Sequence, residues 1–173
     1  MEPRALLING TVGAGKTSTA EAAGDLLAAA GIPHAVMDLD WLRACWPSPP
    51  GDRFNAEMQL RNLRSVAANY LAAGFTRLVL AGVLESDDDR RRCADALSIP
   101  LDVCRLHVDL PVIHRRLAHR HHDDGPDLQW HLARSGELAA ILERTRVEDT
   151  VVDGTLSSVS ATARAVLKSV SWL

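Results

Sequence analysis

Eight residues near the start of the chain, Gly10-Thr11-Val12-Gly13-Ala14-Gly15-Lys16-Thr17, fit the pattern G-x-x-x-x-G-K-[ST] at every fixed position. The chemistry of that pattern is the grip of a polyphosphate. Glycines at 10, 13 and 15 let backbone N–H groups converge on an anion without Cβ clashes. A helix expected to begin near Lys16 turns the positive end of its dipole toward the same point. The Lys16 ammonium can bridge β- and γ-phosphates, and the Thr17 hydroxyl can ligate Mg²⁺. We assign the whole run from Gly10 through Ser18 to a nucleotide. Of the 19 basic residues 17 are arginine, and Lys16 and Lys168 are the two lysines. At position 16 a compact ammonium serves phosphates better than a forked guanidinium.

A second constellation is Met37-Asp38-Leu39-Asp40-Trp41-Leu42-Arg43, two carboxylates two residues apart at the end of an apolar run. If that run is a parallel strand, both acids sit at the carboxyl edge of the sheet, where ligands of open α/β sheets bind. Asp38 and Asp40 then face a γ-phosphate from the acceptor side, although Asp38 is also well placed to cap a short helix from Leu39. Trp41, Trp46 and Arg43 are candidates to line the acceptor pocket. Arg61 and Arg64, three apart on one helix face, can hold an anionic or polyhydroxyl acceptor or simply form surface ion pairs. Arg115, Arg116, Arg120 and Arg134 suit a lid that neutralises transferring oxygens, with Arg116 and Arg120 favoured. His114, His119, His121 and His122 show no metal-binding spacing, and their arginine neighbours oppose a cation.

These groups need a frame, and the hydropathy pattern supplies one. Short apolar runs alternate with 3.6-period segments, the mark of an α/β fold. Strands are expected at Ala5 to Ile8, Ala35 to Met37, Leu78 to Ala81, Val103 to Val108 and Thr150 to Asp153. Helices are expected from Lys16 to Ala30, Phe54 to Ala73, Asp87 to Leu97, Leu110 to Arg120 and Ser158 to Val170. A further helix should follow a polar break from His121 to Asp127. Trp46 to Gly51 is a loop by composition. With 173 residues and no linker or repeat, one domain spanning 1–173 is expected, with a helical lid at about 115–135.

At this point the chain resembles the small P-loop kinases, in particular the adenylylsulfate kinase, gluconate kinase and chloramphenicol phosphotransferase group. Asp38-Leu39-Asp40-Trp41-Leu42-Arg43 is similar to the D-G-D-N-[VI]-R segment of adenylylsulfate kinases. Asp52-Arg53-Phe54, followed by Arg61 and Arg64, is similar to their D-R-x-x-N-x-R-R stretch. The resemblance implies a five-stranded parallel sheet of order 2-3-1-4-5 sandwiched by helices, with ATP and Mg²⁺ as cofactors. It further implies Asp40 as the base for the acceptor hydroxyl and Asp38 as its metal-side neighbour. Thr155, in Asp153-Gly154-Thr155-Leu156-Ser157, falls where such kinases bind adenine. Two departures stand out. No F-T-G-I-D-type lid lies between Arg120 and Asp149, and Ala81-Gly82 occupy the place of the acid that usually ends the third strand. Glu85 lies just beyond and is a candidate substitute acting through water.

The expected activity is transfer of the γ-phosphoryl group of ATP to a hydroxyl of a small molecule: a natural product or antibiotic, a sugar, or a nucleoside-like compound. The alternative is a nucleotide-binding switch that hydrolyses ATP and has no acceptor. A net charge of −3 argues against a nucleic-acid partner. No window reaches the roughly 18 apolar residues of a membrane span, and a monomer or homodimer is expected. Cys45, Cys93 and Cys104 form no framework, so a reducing cytoplasm is the expected compartment.

Overall fold

The structure is a computed structural model that describes residues 2–52, 54–120 and 125–173. Five strands, β1 (Arg4–Asn9), β2 (His34–Asp38), β3 (Arg77–Ala81), β4 (Leu101–His107) and β5 (Thr150–Asp153), form one parallel sheet. Their order is β2-β3-β1-β4-β5, as expected. The uninterrupted apolar run Ala5-Leu6-Leu7-Ile8 takes the centre because every one of its side chains is fully buried. Alternation along the strands divides the interior into two layers. Leu6, Ile8, Val79, Ala81 and Leu106 meet one set of helices, whereas Ala5, Leu7, Leu78, Leu80 and Val103 meet the other. β4 begins at Leu101, two residues before the expected Val103, because Leu101 already pairs with Ala5.

Among the described residues the helices are α1 (Lys16–Ala29), α2 (Leu39–Leu42), α3 (Ala56–Ala72), α4 (Asp87–Leu97), α5 (Leu110–Arg120), α6 (Pro126–Thr145) and α7 (Val159–Ser169). α3 starts two residues later than hydropathy suggests. The Asp52 carboxylate accepts the orphan N–H groups of Ala56 and Glu57 at 2.8 and 3.1 Å and so fixes the first turn there. Ser86 caps α4, accepting from the Asp89 N–H at 3.1 Å, and three aspartates fill its first turn. Pro126 opens α6, which ends the polar break two residues early. α1, α5 and α7 cover one face of the sheet; α3 and α4 cover the other.

The strand order decides what the site can contain. β2, β3 and β1 are neighbours, so the segments leaving their carboxyl ends emerge side by side. These are Asp38 onward, Gly82 to Glu85, and Gly10 to Gly15. Among the described residues no helix is long and apolar enough to cross a membrane.

Candidate active site

The phosphate-binding loop leaves β1 and wraps into α1. Gly13 has φ 81°, and a Cβ there would lie 2.9 Å from Ile113 Cγ2 and 3.0 Å from Leu117 Cγ. Two buried residues of α5 therefore press directly on the loop. The Lys16 ammonium donates to the Thr11 carbonyl at 3.0 Å. Desolvation is the largest influence on it and lowers its pKa to about 8. The Asp40 and Asp38 carboxylates pull the other way, while Arg43 and Arg120 add to the lowering.

Asp38 joins the two constellations read from the sequence. Its Oδ2 accepts from the Thr17 hydroxyl at 2.7 Å, and its Oδ1 accepts the Asp40 N–H at 2.9 Å, capping α2. Capping and a place beside Thr17 thus coexist in one side chain. Asp40 points further out, two-thirds exposed, and is ion-paired with Arg43. Leu39, between the two acids, is buried against Gly82, where a Cβ would meet Leu39 Cδ1 at 2.6 Å. Glycine at the end of β3 is what lets α2 and its acid pair approach the sheet. The oxygens of Thr17 and Asp38 are hard donors of the kind Mg²⁺ prefers, leaving its remaining positions to phosphate and water. Among the described residues no group of three or more His, Cys, Asp or Glu side chains could hold an ion by itself.

A cavity of about 400 Å³ opens between this edge and the helices. Val12, Gly13, Lys16, Thr17, Asp38, Asp40, Arg43 and Arg120 line its phosphate end. Gly82, Leu84 and Glu85 form its floor, with Phe54, Gln59 and Leu60 on one wall and Trp130, Arg134 and Leu138 on the other. The last three recur every fourth residue and so share one face of α6. Arg134 is ion-paired with Glu85 across the cavity and with Glu137 at 2.8 Å. Burial works against its charge, but the hydrogen bond to Glu137 and the field of Glu85 outweigh it and raise the pKa. The Phe54 ring centre lies 6.0 Å from the Arg43 guanidinium carbon and 5.6 Å from that of Arg134.

The structure sorts the sequence candidates. Gly10, Thr11, Ala14, Gly15 and Ser18 belong to the loop and first turn of α1 as expected. Lys16, Thr17, Asp38, Asp40, Arg43, Glu85, Arg120 and Arg134 meet in the cavity. Arg116 does not line it; its guanidinium donates to the carbonyls of Ala14 at 3.2 Å and Gly154 at 3.4 Å, bridging the phosphate loop and the turn after β5. Thr155 belongs to that turn, where its hydroxyl accepts from the Asp109 N–H at 3.2 Å. Arg61 and Arg64 open instead onto a separate surface depression with Glu57, Arg92 and Asp95, because α3 buries Leu63 and Ala67 and turns its arginines outward. Trp41 and Trp46 are 79% and 92% exposed and are absent from the cavity wall, so neither lines an acceptor pocket. The lid is not a separate element: its second half is the body of α6, with Ser135 fully buried. Arg53, His121 and His122 lie outside the described residues.

Sequence reasoning missed Asn9 altogether and a second contact of Thr11, and both hold the site together. Asn9, fully buried at the end of β1, donates to the Leu84 carbonyl at 3.1 Å. Its Oδ1 accepts from Gly10 N–H at 2.9 Å and Leu84 N–H at 3.1 Å, fastening the phosphate loop to the cavity floor. A polar residue closing an apolar strand was the available signal. The Thr11 hydroxyl donates to the Ser135 carbonyl at 2.6 Å and ties the loop to α6, a contact across 124 positions that no local pattern announces.

No protein-family model matches the sequence, and no curated protein matches it. Solved structures do share the fold. A tunicamycin resistance protein of Deinococcus radiodurans superposes with a TM-score of 0.71 at 18% identity, over 100% of this chain and 98% of its own. A gluconokinase from Sinorhizobium meliloti 1021 gives 0.60 at 22% identity, over 98% of this chain and 92% of its own. The APS kinase of Mycobacterium tuberculosis, in complex with AMPPNP and APS, gives 0.60 at 20% identity over 98% of each chain. The chain has the fold of the small P-loop kinases.

Proposed function

We propose that the chain is an ATP-dependent phosphotransferase that moves the γ-phosphoryl group to a hydroxyl of a small molecule. One observation carries the reading. The phosphate loop and the Asp38/Asp40 pair open into the same cavity, and that cavity continues past them into a walled space large enough for an acceptor. Nucleotide hydrolysis alone needs no such space. The fold shared with small-molecule kinases supports the same reading, and so does the nucleotide analogue bound by one of them.

In this reading the loop amides and Lys16 hold the triphosphate, and Arg116 closes the passage toward the turn at Gly154 and Thr155, on the side of the base. Thr17 and Asp38 would hold Mg²⁺, which supplies charge neutralisation for the phosphates when bound. The acceptor oxygen attacks the γ-phosphorus in line, and the bond from that phosphorus to the β–γ bridging oxygen breaks, leaving ADP. Asp40 takes the hydroxyl proton, its orientation set by Arg43, and passes it to solvent. Arg120 offsets charge on the transferring oxygens beside Lys16. Residues 1–173 act as one kinase domain. The three unpaired thiols suit a reducing compartment such as the cytoplasm.

The test is ADP release with and without a pool of hydroxylated metabolites and antibiotics, alongside a mass gain of one phosphate. Lys16→Ala should abolish transfer by weakening nucleotide binding. Asp40→Asn should lower acceptor phosphorylation about 10²–10⁴-fold while leaving ATP affinity nearly intact. Full turnover by Asp40→Asn would overturn the assignment of the base, and ADP release indifferent to any acceptor would overturn the kinase.

A further inference from the structure

The acceptor half of the cavity is unusual in how its charges are spent. Besides Arg120, the cavity receives Arg43 at its phosphate end and Arg92 and Arg134 beyond it, and each of these three already has a carboxylate of the protein. Arg43 pairs with Asp40, Arg92 with Glu57, and Arg134 with both Glu85 and Glu137. The first two pairs are substantially exposed, and an incoming anion could compete for them. Arg134 is different. Its side chain is only 14% exposed, and Glu85 approaches it from the cavity floor. The Glu85 N–H is in turn bound by the Asp89 carboxylate at 3.1 Å, which brings a further negative charge to the same floor. An anionic acceptor reaching for Arg134 would have to displace Glu85 and leave that carboxylate stranded beside it, a like-charge penalty that selects against such ligands.

Beside these charges, and alongside Gln59 and His131, the lining carries a run of apolar side chains. Phe54 and Trp130, 42% and 43% exposed, present ring surface into the cavity from α3's approach and from α6. Leu60, Leu84 and Leu138 continue that surface inward. The Arg43 and Arg134 guanidiniums already lie near the Phe54 ring, and an apolar ligand covering the part of both rings that stays exposed adds to this.

We propose that the acceptor is an uncharged hydroxyl compound with an aromatic or branched alkyl body, seated between Phe54 and Trp130, and that Glu85 and Glu137 exclude anionic acceptors by neutralising Arg134. This rests on the phosphotransfer reading above and narrows it to one substrate class. Trp130 and Phe54 are the specificity-determining residues, and Glu85 is the selectivity filter.

The experiment uses the full chain with MgATP and a library in two halves of equal size. One half holds uncharged aryl or alkyl alcohols and glycosides; the other holds hydroxy acids and hydroxylated sulfate or phosphate esters. Phosphorylated products confined to the uncharged half are expected. Trp130→Ala and Phe54→Ala should each raise the acceptor KM about tenfold with a smaller change in kcat, since both remove binding made equally before and during transfer. The Glu85→Gln/Glu137→Gln double variant frees Arg134 and should raise kcat/KM for hydroxy acids at least tenfold. Products chiefly from the anionic half, or no gain by the double variant toward anions, would overturn the inference while leaving the kinase standing. No product from either half, with nucleotide bound, would overturn the kinase reading and this inference with it.

Discussion

Lys16 shows how a single residue can be tuned by the pocket it serves. Its burial removes water that an ammonium needs, and the nearby Asp38 and Asp40 only partly replace it, so the pKa falls from 10.5 to about 8. Between these values the unfolded chain holds a proton that the folded chain has released. Stability of the nucleotide-free protein therefore gains a rising contribution as pH climbs from about 8 to 10.5, absent below that window. The buried Cys93 and Cys104 thiols, both pushed up by desolvation, work the other way above about pH 9, so the Lys16 contribution is read as the difference between the wild type and Lys16→Met in chemical denaturation across pH 7 to 11. Polyphosphate restores the charge, so ATP binding near pH 8 should take up on the order of half a proton. Calorimetry in buffers of different ionisation enthalpy reads that number directly, and no uptake would contradict the burial argument.

At the scale of elements, the site depends on two polar staples that cross between segments. Asn9 fixes the loop to the floor of the cavity, and Thr11 fixes it to α6. Thr11 is the more telling of the two, because its carbonyl also receives the Lys16 ammonium. One residue thus touches both the nucleotide lysine and the helix that carries Trp130, Arg134 and Leu138. Thr11→Val keeps shape but strands the buried Ser135 carbonyl on that side, a loss of about 1–3 kcal/mol. We expect faster amide exchange along α6 and a higher acceptor KM, with ATP affinity little changed. Unaltered exchange in α6 would show that its packing alone, without the staple, holds it in place.

Across the whole molecule, the parallel sheet separates two cores, one beneath α1, α5 and α7 and the other beneath α3 and α4. Ile113 belongs to the first and presses on Gly13; Leu63 belongs to the second, on the buried face of α3. Both are fully buried, so replacing either by alanine should cost about 2–5 kcal/mol. Their functional consequences should part company. Ile113→Ala should weaken ATP binding by loosening the loop, whereas Leu63→Ala should spare ATP and raise the acceptor KM. Nucleotide titrations and acceptor kinetics on the two variants check this division, and equal effects on both ligands would refute it.

Much of this molecule is written locally. The run Ala5 to Ile8 had to be a buried central strand, the eight-residue run had to turn from that strand into a helix, and Asp38 had to sit at a strand end, because periodicity and spacing are properties of neighbours. The fold class and the phosphate end of the cavity followed from that. The acceptor end did not. Which arginines enter it depends on how each helix is rotated against the sheet. Leu63 and Ala67 turn Arg61 and Arg64 away, and the buried Ser135 turns Arg134 in. Arg116 and Arg120 lie one turn apart on α5, yet one bridges backbone carbonyls while the other lines the cavity with Lys16. Trp41 adjoins Asp40 in sequence and still faces solvent, whereas Trp130, 89 positions further on, lines the cavity. The pairing of Glu85 with Arg134 spans 49 residues and fixes the charge an acceptor meets. The sequence by itself determined the glycine-rich loop with its lysine and where it would sit; only tertiary packing decided what would stand opposite it, since that surface is assembled from residues that never meet along the chain.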